Sequence, residues 1–158
     1  MTDQTVGALE GTVDFMSKAF PNPTQKNAQT QMGVHFEEVA EMIAELRGST
    51  SGAQLMLQTV LQTMSSFATF IKQAPAGTVY VPAENSLAFL DSIADQLVTA
   101  AGSAVVHGMD PVGALHEVNR SNFSKFDDQG QPIHHPETHK LMKGPNYSEP
   151  NLAPFISG

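Results

Sequence analysis

Six carboxylates are the residues best placed to do chemistry. Glu37, Glu38, Glu41 and Glu45 fall within about two and a half helical turns of one segment, and Asp91 and Asp95 stand one turn apart on a later one. None of the six has a Lys or Arg three or four residues away, and no cation occurs between Lys72 and Arg120. Like charges one turn apart cost a helix a few tenths of a kcal/mol per pair, and a solvated face normally mixes signs. At about 100° per residue, Glu37, Glu41 and Glu45 point away from the apolar stripe of their segment, so a plain solvent-facing surface is one reading. The other is a hard cation. Carboxylate oxygens without thiols or clustered imidazoles suit magnesium or manganese, which keep several waters and complete their shell with substrate phosphate. Pairing the two acidic segments would build such a site.

The cations are unevenly placed too. Four of the eight Lys and Arg lie between Arg120 and Lys143: Arg120 and Lys125 bracket Ser121-Asn122-Phe123-Ser124, and Lys140 and Lys143 follow. Such side chains hydrogen-bond phosphate oxygens well. The competing explanation is a helix C-terminus, where the dipole favours cations for structural reasons. The P-loop pattern Gly-x4-Gly-Lys-Ser/Thr is absent, since Gly48 to Gly52 has no following lysine, and a Walker-type NTPase is disfavoured. His134, His135 and His139 could suggest zinc, but with no cysteine and a Pro-containing loop around them, ordinary polar roles are expected. His35 precedes the acids and is either a base-stacking residue or a packed helix residue. Phe20 and Asn22 carry the same two readings, base contact or structure.

Helices must position these groups. Val6, Leu9, Val13, Met16 and Phe20 predict a first helix over Thr5–Phe20, stopped at Pro21-Asn22-Pro23. Met32, Phe36, Val39, Ile43 and Leu46 predict a second over Met32–Arg47, closed by Gly48. A third runs from the Gly48–Gly52 turn to about Gln73, with Leu57, Val60, Leu61, Met64, Phe67 and Ile71 on its apolar side. Thr78–Pro82 reads as an extended connector, and Leu87, Leu90, Ile93, Ala94, Leu97, Ala101 and Val105 predict a fourth helix over Ala83–His107. Asp110-Pro111 places aspartate at an N-cap and proline at N1 of a fifth that reaches about Ser124. Beyond Phe126 the helical period ends. The expected fold is therefore all-α, about five helices over residues 1–126 with an irregular tail, 127–158, docking on them.

Composition sets the outer bounds. With 158 residues, 41% hydrophobic, the chain is long enough for a real core. Its lack of cysteine excludes disulfides, thiolate metal sites and thiol nucleophiles, and makes a cytoplasmic setting the default expectation. Residues 1–10 lack the pattern of a signal peptide, and no stretch of about 18 uninterrupted apolar residues occurs, so neither export nor a membrane span is expected. A formal charge of -8 has the wrong sign for gripping a nucleic-acid backbone, although an acidic protein can bind one nucleotide through a metal. The third helix, with Met56, Met64, Phe67 and Phe70, carries more apolar surface than one small core readily covers, which predicts a homodimer or homotetramer.

Glu38-Val39-Ala40-Glu41, Asp91-Ser92-Ile93-Ala94-Asp95 and Asn122-Phe123-Ser124-Lys125, in that order along the chain, resemble the all-α nucleoside triphosphate pyrophosphohydrolases, the superfamily that includes MazG, the dimeric dUTPases and phosphoribosyl-ATP pyrophosphohydrolase. The resemblance is nearest to phage-type MazG-like proteins. It extends through Gly113-Ala114-Leu115-His116-Glu117-Val118-Asn119-Arg120-Ser121-Asn122 and the tail Lys143-Gly144-Pro145-Asn146-Tyr147 with Pro150 and Leu152, covering roughly residues 30–155. It implies a helical bundle completed by oligomerisation that hydrolyses a nucleoside triphosphate between the α and β phosphates.

By position, Glu38, Glu41 and Asp95 would be catalytic metal ligands, with Asp91 a fourth ligand or an orienter, holding two or more Mg2+ or Mn2+ ions. Glu37 and Glu45 are weaker candidates, and a carboxylate beside the metal would act as base toward water. Asn122 and Lys125 match the family's phosphate-binding Asn-x-x-Lys pair, with Arg120 and Lys143 beside it. Ser92 stands where many relatives carry Glu, so either Asp91 takes over that ligand or the site has one acid fewer. A deoxynucleotide, with guanine a live choice, is the implied substrate, and the host cytoplasm the implied setting if the gene is a phage's. A dUTPase- or dCTPase-type enzyme and a non-catalytic helical interaction module are the alternatives.

Overall fold

The computed structural model describes residues 7–136 and 141–156. Among them five α-helices form: α1 (Ala8–Ala19), α2 (Gln25–Ala44), α3 (Ser51–Gln73), α4 (Ser86–Val106) and α5 (Pro111–Phe123), with single 3-10 turns at Ala83–Asn85 and Ala153–Phe155. The all-α class is as expected. The described residues form no sheet, only two isolated antiparallel bridges, Met109–Ile156 and His134–Leu141. No described helix is long and apolar enough to cross a membrane. Thr5, Val6, His139 and Lys140 lie outside the described residues.

The chain divides into two units, Asn22–Ser86 and Met1–Pro21 with Leu87–Gly158. The first is a hairpin of α2 and α3. α2 begins seven residues before the position expected from its apolar period, because Thr24 and Asn27 form a reciprocal cap: the Thr24 hydroxyl accepts from the Asn27 N–H at 3.1 Å, and the Asn27 side chain accepts from the Thr24 N–H at 2.9 Å. The first turns of α2 are polar since they serve the far end of α3. Gln29, 1% exposed, donates to the carbonyls of Ile71 (2.9 Å) and Ala74 (3.0 Å) and accepts from the Val79 N–H (3.2 Å). The Lys26 ammonium adds bonds to the carbonyls of Lys72 (2.7 Å) and Ala74 (2.6 Å), so α3's orphan C-terminal carbonyls are satisfied from the neighbouring helix.

Small residues let the two helices approach. A Cβ on Gly33 would sit 2.6 Å from Lys72 Cγ and 3.0 Å from the Ala68 carbonyl, and Ala40, Ala68, Ile71 and Ala74 are buried in this unit. Phe36 and Phe67 meet at 5.1 Å between ring centroids. Leu55, Met56, Val60, Phe67 and Phe70 of α3 remain partly exposed.

The second unit is built around α1 and α5. Phe15, Ala19 and Phe126 are its buried core, flanked by Met16, Phe20, Phe123 and Leu141. Phe15 stacks on Phe126 (5.5 Å) and meets Phe123 edge-on (5.6 Å), which brings the chain beyond α5 back onto α1. Asn119, buried on α5, donates to the Ala8 carbonyl at 2.7 Å and accepts from the Thr12 hydroxyl at 3.0 Å, tying the start of α1 to α5. Gly108 takes the left-handed conformation (φ 73°) that ends α4, and Asp110 caps α5 by accepting from the Val112 and Gly113 N–H groups, each at 3.0 Å. The tail is irregular but tied down. The Phe155 carbonyl accepts from the Asp110 N–H (2.9 Å), and the Ser124 hydroxyl accepts from the Ser148 N–H (2.9 Å). α4 differs from the others: none of its residues is buried, and it packs on neither α1 nor α5.

Candidate functional site

On α2, Glu37 and Glu41 line an open groove of about 210 Å3 between α2 and α3, together with Ser65 and Thr69 over the small side chains of Ala40 and Ala68. Helical periodicity brings the two acids there, since four residues make slightly more than one turn. The cation missing from α2 comes from α3: the Lys72 ammonium pairs with the Glu37 carboxylate across the hairpin. Glu41 is exposed, and among the described residues its carboxylate makes no ion pair. Glu38 stands one turn from Glu41 at i, i+3 spacing, near enough along the helix for both to reach one cation. Glu45 is the C-cap residue of α2.

Asp91 and Asp95 lie on α4, in the other unit, exposed and likewise without an ion pair among the described residues. The described residues contain no gathered group of three or more His, Asp and Glu able to hold a metal ion. The structure therefore brings Glu37 and Glu41 to one groove and sets Asp91 and Asp95 together one turn apart. The donor chemistry, all carboxylate oxygen, fits magnesium or manganese.

The Asn-x-x-Lys pair is assembled. The Lys125 ammonium donates to the Asn122 side-chain oxygen at 2.7 Å, and it lies over the Phe15 ring at 6.0 Å. Arg120 is committed elsewhere. Its guanidinium forms a two-pronged pair with Glu117 (2.8 and 2.7 Å), bonds the Ser148 hydroxyl and donates to the Glu149 carbonyl at 2.9 Å. Glu117 in turn accepts from the Asn151 N–H at 2.8 Å. The arginine beside it and this backbone bond hold the Glu117 carboxyl down at about 2, and the same pairing raises Arg120 above its ordinary value. These two residues thus form a latch for the tail. Lys143 lies over the Tyr147 ring at 4.2 Å and approaches Glu149 at 4.0 Å, within the tail.

Of the expected base contacts, His35 meets the ring of Phe36 at 6.0 Å, Phe20 meets His134 at 5.7 Å, and Asn22 is exposed at the start of the hairpin unit. Ser65, Thr69 and Lys72 of α3 escaped the sequence reading. The hydroxyls are an i, i+4 pair on the margin of an apolar stripe, a faint signal, and nothing in sequence links Lys72 to Glu37 across 35 residues. Glu117 and Arg120 did carry a signal, opposite charges at i, i+3. No protein-family model, no curated protein and no solved structure matches the chain.

Proposed function

We propose that the chain is a metal-dependent (deoxy)nucleoside triphosphate pyrophosphohydrolase. Water attacks the α phosphorus, the bond from that phosphorus to the α–β bridging oxygen breaks, and monophosphate, pyrophosphate and one proton are released. The observation that carries this reading is the unequal treatment of two carboxylates in one groove: Glu37 pairs with Lys72, whereas Glu41 makes no ion pair among the described residues. Glu38 and Glu41 on α2, and Asp91 and Asp95 on α4, are the carboxylates assigned to Mg2+ or Mn2+, which when bound would neutralise phosphate charge and lower the pKa of a bound water. Glu38 or Glu41 would take the proton from the attacking water, and the Lys125 ammonium, oriented by Asn122, would bind a phosphate oxygen. The resemblance to MazG-like enzymes supports the choice of bond, a dGTP-like substrate, two or more ions, and a homodimer or homotetramer at work on the nucleotide pool of the cytoplasm. A dUTPase- or dCTPase-type preference is the alternative within the same chemistry.

The test is incubation of the full chain with each dNTP and NTP under magnesium, manganese or EDTA, with products resolved by ion exchange. Monophosphate plus pyrophosphate, abolished by EDTA and by Glu41→Gln, is the expected result. Diphosphate plus phosphate would refute the bond assignment. No turnover with either metal would favour a non-catalytic helical interaction module.

A further inference from the structure

The α2–α3 hairpin unit contains three Lys and Arg side chains, and two of them are spent on its backbone. Lys26 donates to the carbonyls of Lys72 and Ala74, and Arg47 to those of Ala44 (2.7 Å) and Leu46 (2.8 Å), so each serves a helix end. Lys72 is used differently. It lies in the last turn of α3, where the dipole favours a cation beside the terminal carbonyls, yet Lys26 and Gln29 serve those carbonyls and the Lys72 ammonium is turned to Glu37 on the other helix. Its stem passes over Gly33, where a Cβ would sit 2.6 Å from Lys72 Cγ, so the missing side chain is a notch that lets the charge through. Glu37, which receives it, lines the groove shared with Ser65 and Thr69, and Glu41 stands one turn further on, about 6 Å along the helix axis. An ammonium has three donors, and among the described residues only Glu37 accepts from this one.

We infer that the Lys72 ammonium binds a phosphate oxygen of a polyphosphate ligand in the α2–α3 groove, with Glu37 orienting it and Gly33 giving its stem passage. The inference rests on the pyrophosphohydrolase reading and adds to Lys125 a second phosphate contact, on a helix that carries none of the motif residues. A fixed cation with donors to spare, one turn from an acid that makes no ion pair among the described residues, suits an anion whose charge is spread along a chain: one part meets a metal ion at Glu41 while another takes the ammonium's remaining N–H groups. Glu37 need not be displaced, because carboxylate and phosphate use different donors.

Inorganic tripolyphosphate is the probe, since it offers linked phosphates without a base, and calorimetry on the full chain in excess Mg2+ reads its binding. Lys72→Met is expected to weaken tripolyphosphate binding roughly tenfold or more, the worth of one hydrogen bond to a charged group. In the same variant Mn2+ alone is expected to bind more tightly, because a positive charge has left the groove. Damage to the helix packing would weaken both, so the opposite signs separate a ligand contact from a brace. Glu37→Gln breaks the same ion pair but keeps the ammonium and is expected to bind tripolyphosphate with near wild-type affinity, and Lys72→Arg is expected to recover part of the loss, with far-UV circular dichroism confirming the helix content of each variant. Unchanged tripolyphosphate affinity in Lys72→Met, or equal losses in Lys72→Met and Glu37→Gln, would overturn the inference, and Mn2+ binding still abolished by Glu41→Gln would show that the metal reading survives it. A wild-type chain that binds neither Mn2+ nor tripolyphosphate would overturn both.

Discussion

Removing the Gln29 amide should destabilise the hairpin unit more than any other single polar change in it. The side chain is 1% exposed and supplies the bonds to Ile71, Ala74 and Val79. In Gln29→Leu the volume is nearly kept, so cavity formation contributes little and the loss is polar. The Ala74 carbonyl retains Lys26 as donor. The Ile71 carbonyl retains no partner from its own helix, because residue 75, which would donate to it, is proline. A buried group left unpaired costs about 1–3 kcal/mol. The Val79 N–H, only partly buried, recovers some of its loss through water. The expected destabilisation is therefore about 2–4 kcal/mol, against about 1 kcal/mol for Lys26→Met, whose bonds are nearer solvent. Urea unfolding followed by circular dichroism measures both, and hydrogen exchange at Val79 localises the effect, since that amide should lose protection in Gln29→Leu and keep it in Lys26→Met. A loss below about 0.5 kcal/mol for Gln29→Leu, or a larger loss for Lys26→Met, would show that the far end of α3 is not held by this amide.

Further expectations concern the helix contact, the tail latch and the groove. Gly33→Val should push α2 from α3 and cost about 1–3 kcal/mol, read as a lowered urea midpoint, because the added atoms meet the Ala68 backbone. Glu117, held at about 2 rather than its usual 4.5, favours the docked tail while ionised: that contribution is complete above about 4.5 and is lost as pH falls through about 2. Protection of the Asn151 amide should accordingly hold above about pH 4.5 and decline progressively as pH falls toward about 2, whereas in Glu117→Gln it should be weaker at neutral pH and flat with acidity. Lys72→Met should leave Glu37 unneutralised and tighten Mn2+ binding severalfold by calorimetry; unchanged affinity would remove the groove from the candidate site. Lys125→Met should raise KM for a triphosphate more than it lowers kcat, since it removes a phosphate contact rather than a metal ligand.

The parts of the fold legible in the sequence are those carried by local signals. The start of α5 at Asp110-Pro111, the start of α3 at the Thr50 cap within the Gly48–Gly52 turn and the end of α3 before Pro75 are each set by one or two residues' local chemistry, and the helices fall where those residues place them. The early start of α2 was hidden because its first two turns face polar partners: Lys26 and Gln29 are there to satisfy carbonyls some 45 residues away, and a period of apolar residues cannot register that. The site divides in the same way. Glu37 and Glu41 share a groove because their spacing demands it, and Asn122 meets Lys125 for the same reason. Lys72 against Glu37, and Arg120 turned to Ser148 and Glu149, depend on tertiary contacts that spacing along the sequence does not register.

The α4 helix shows where pattern and packing part company. Its apolar period announces a buried face as clearly as that of α3, yet α3 buries Ala68 and Ile71 while α4 buries no residue. Periodicity states that a face must be covered and is silent on what covers it; the partner is a property of charge and area.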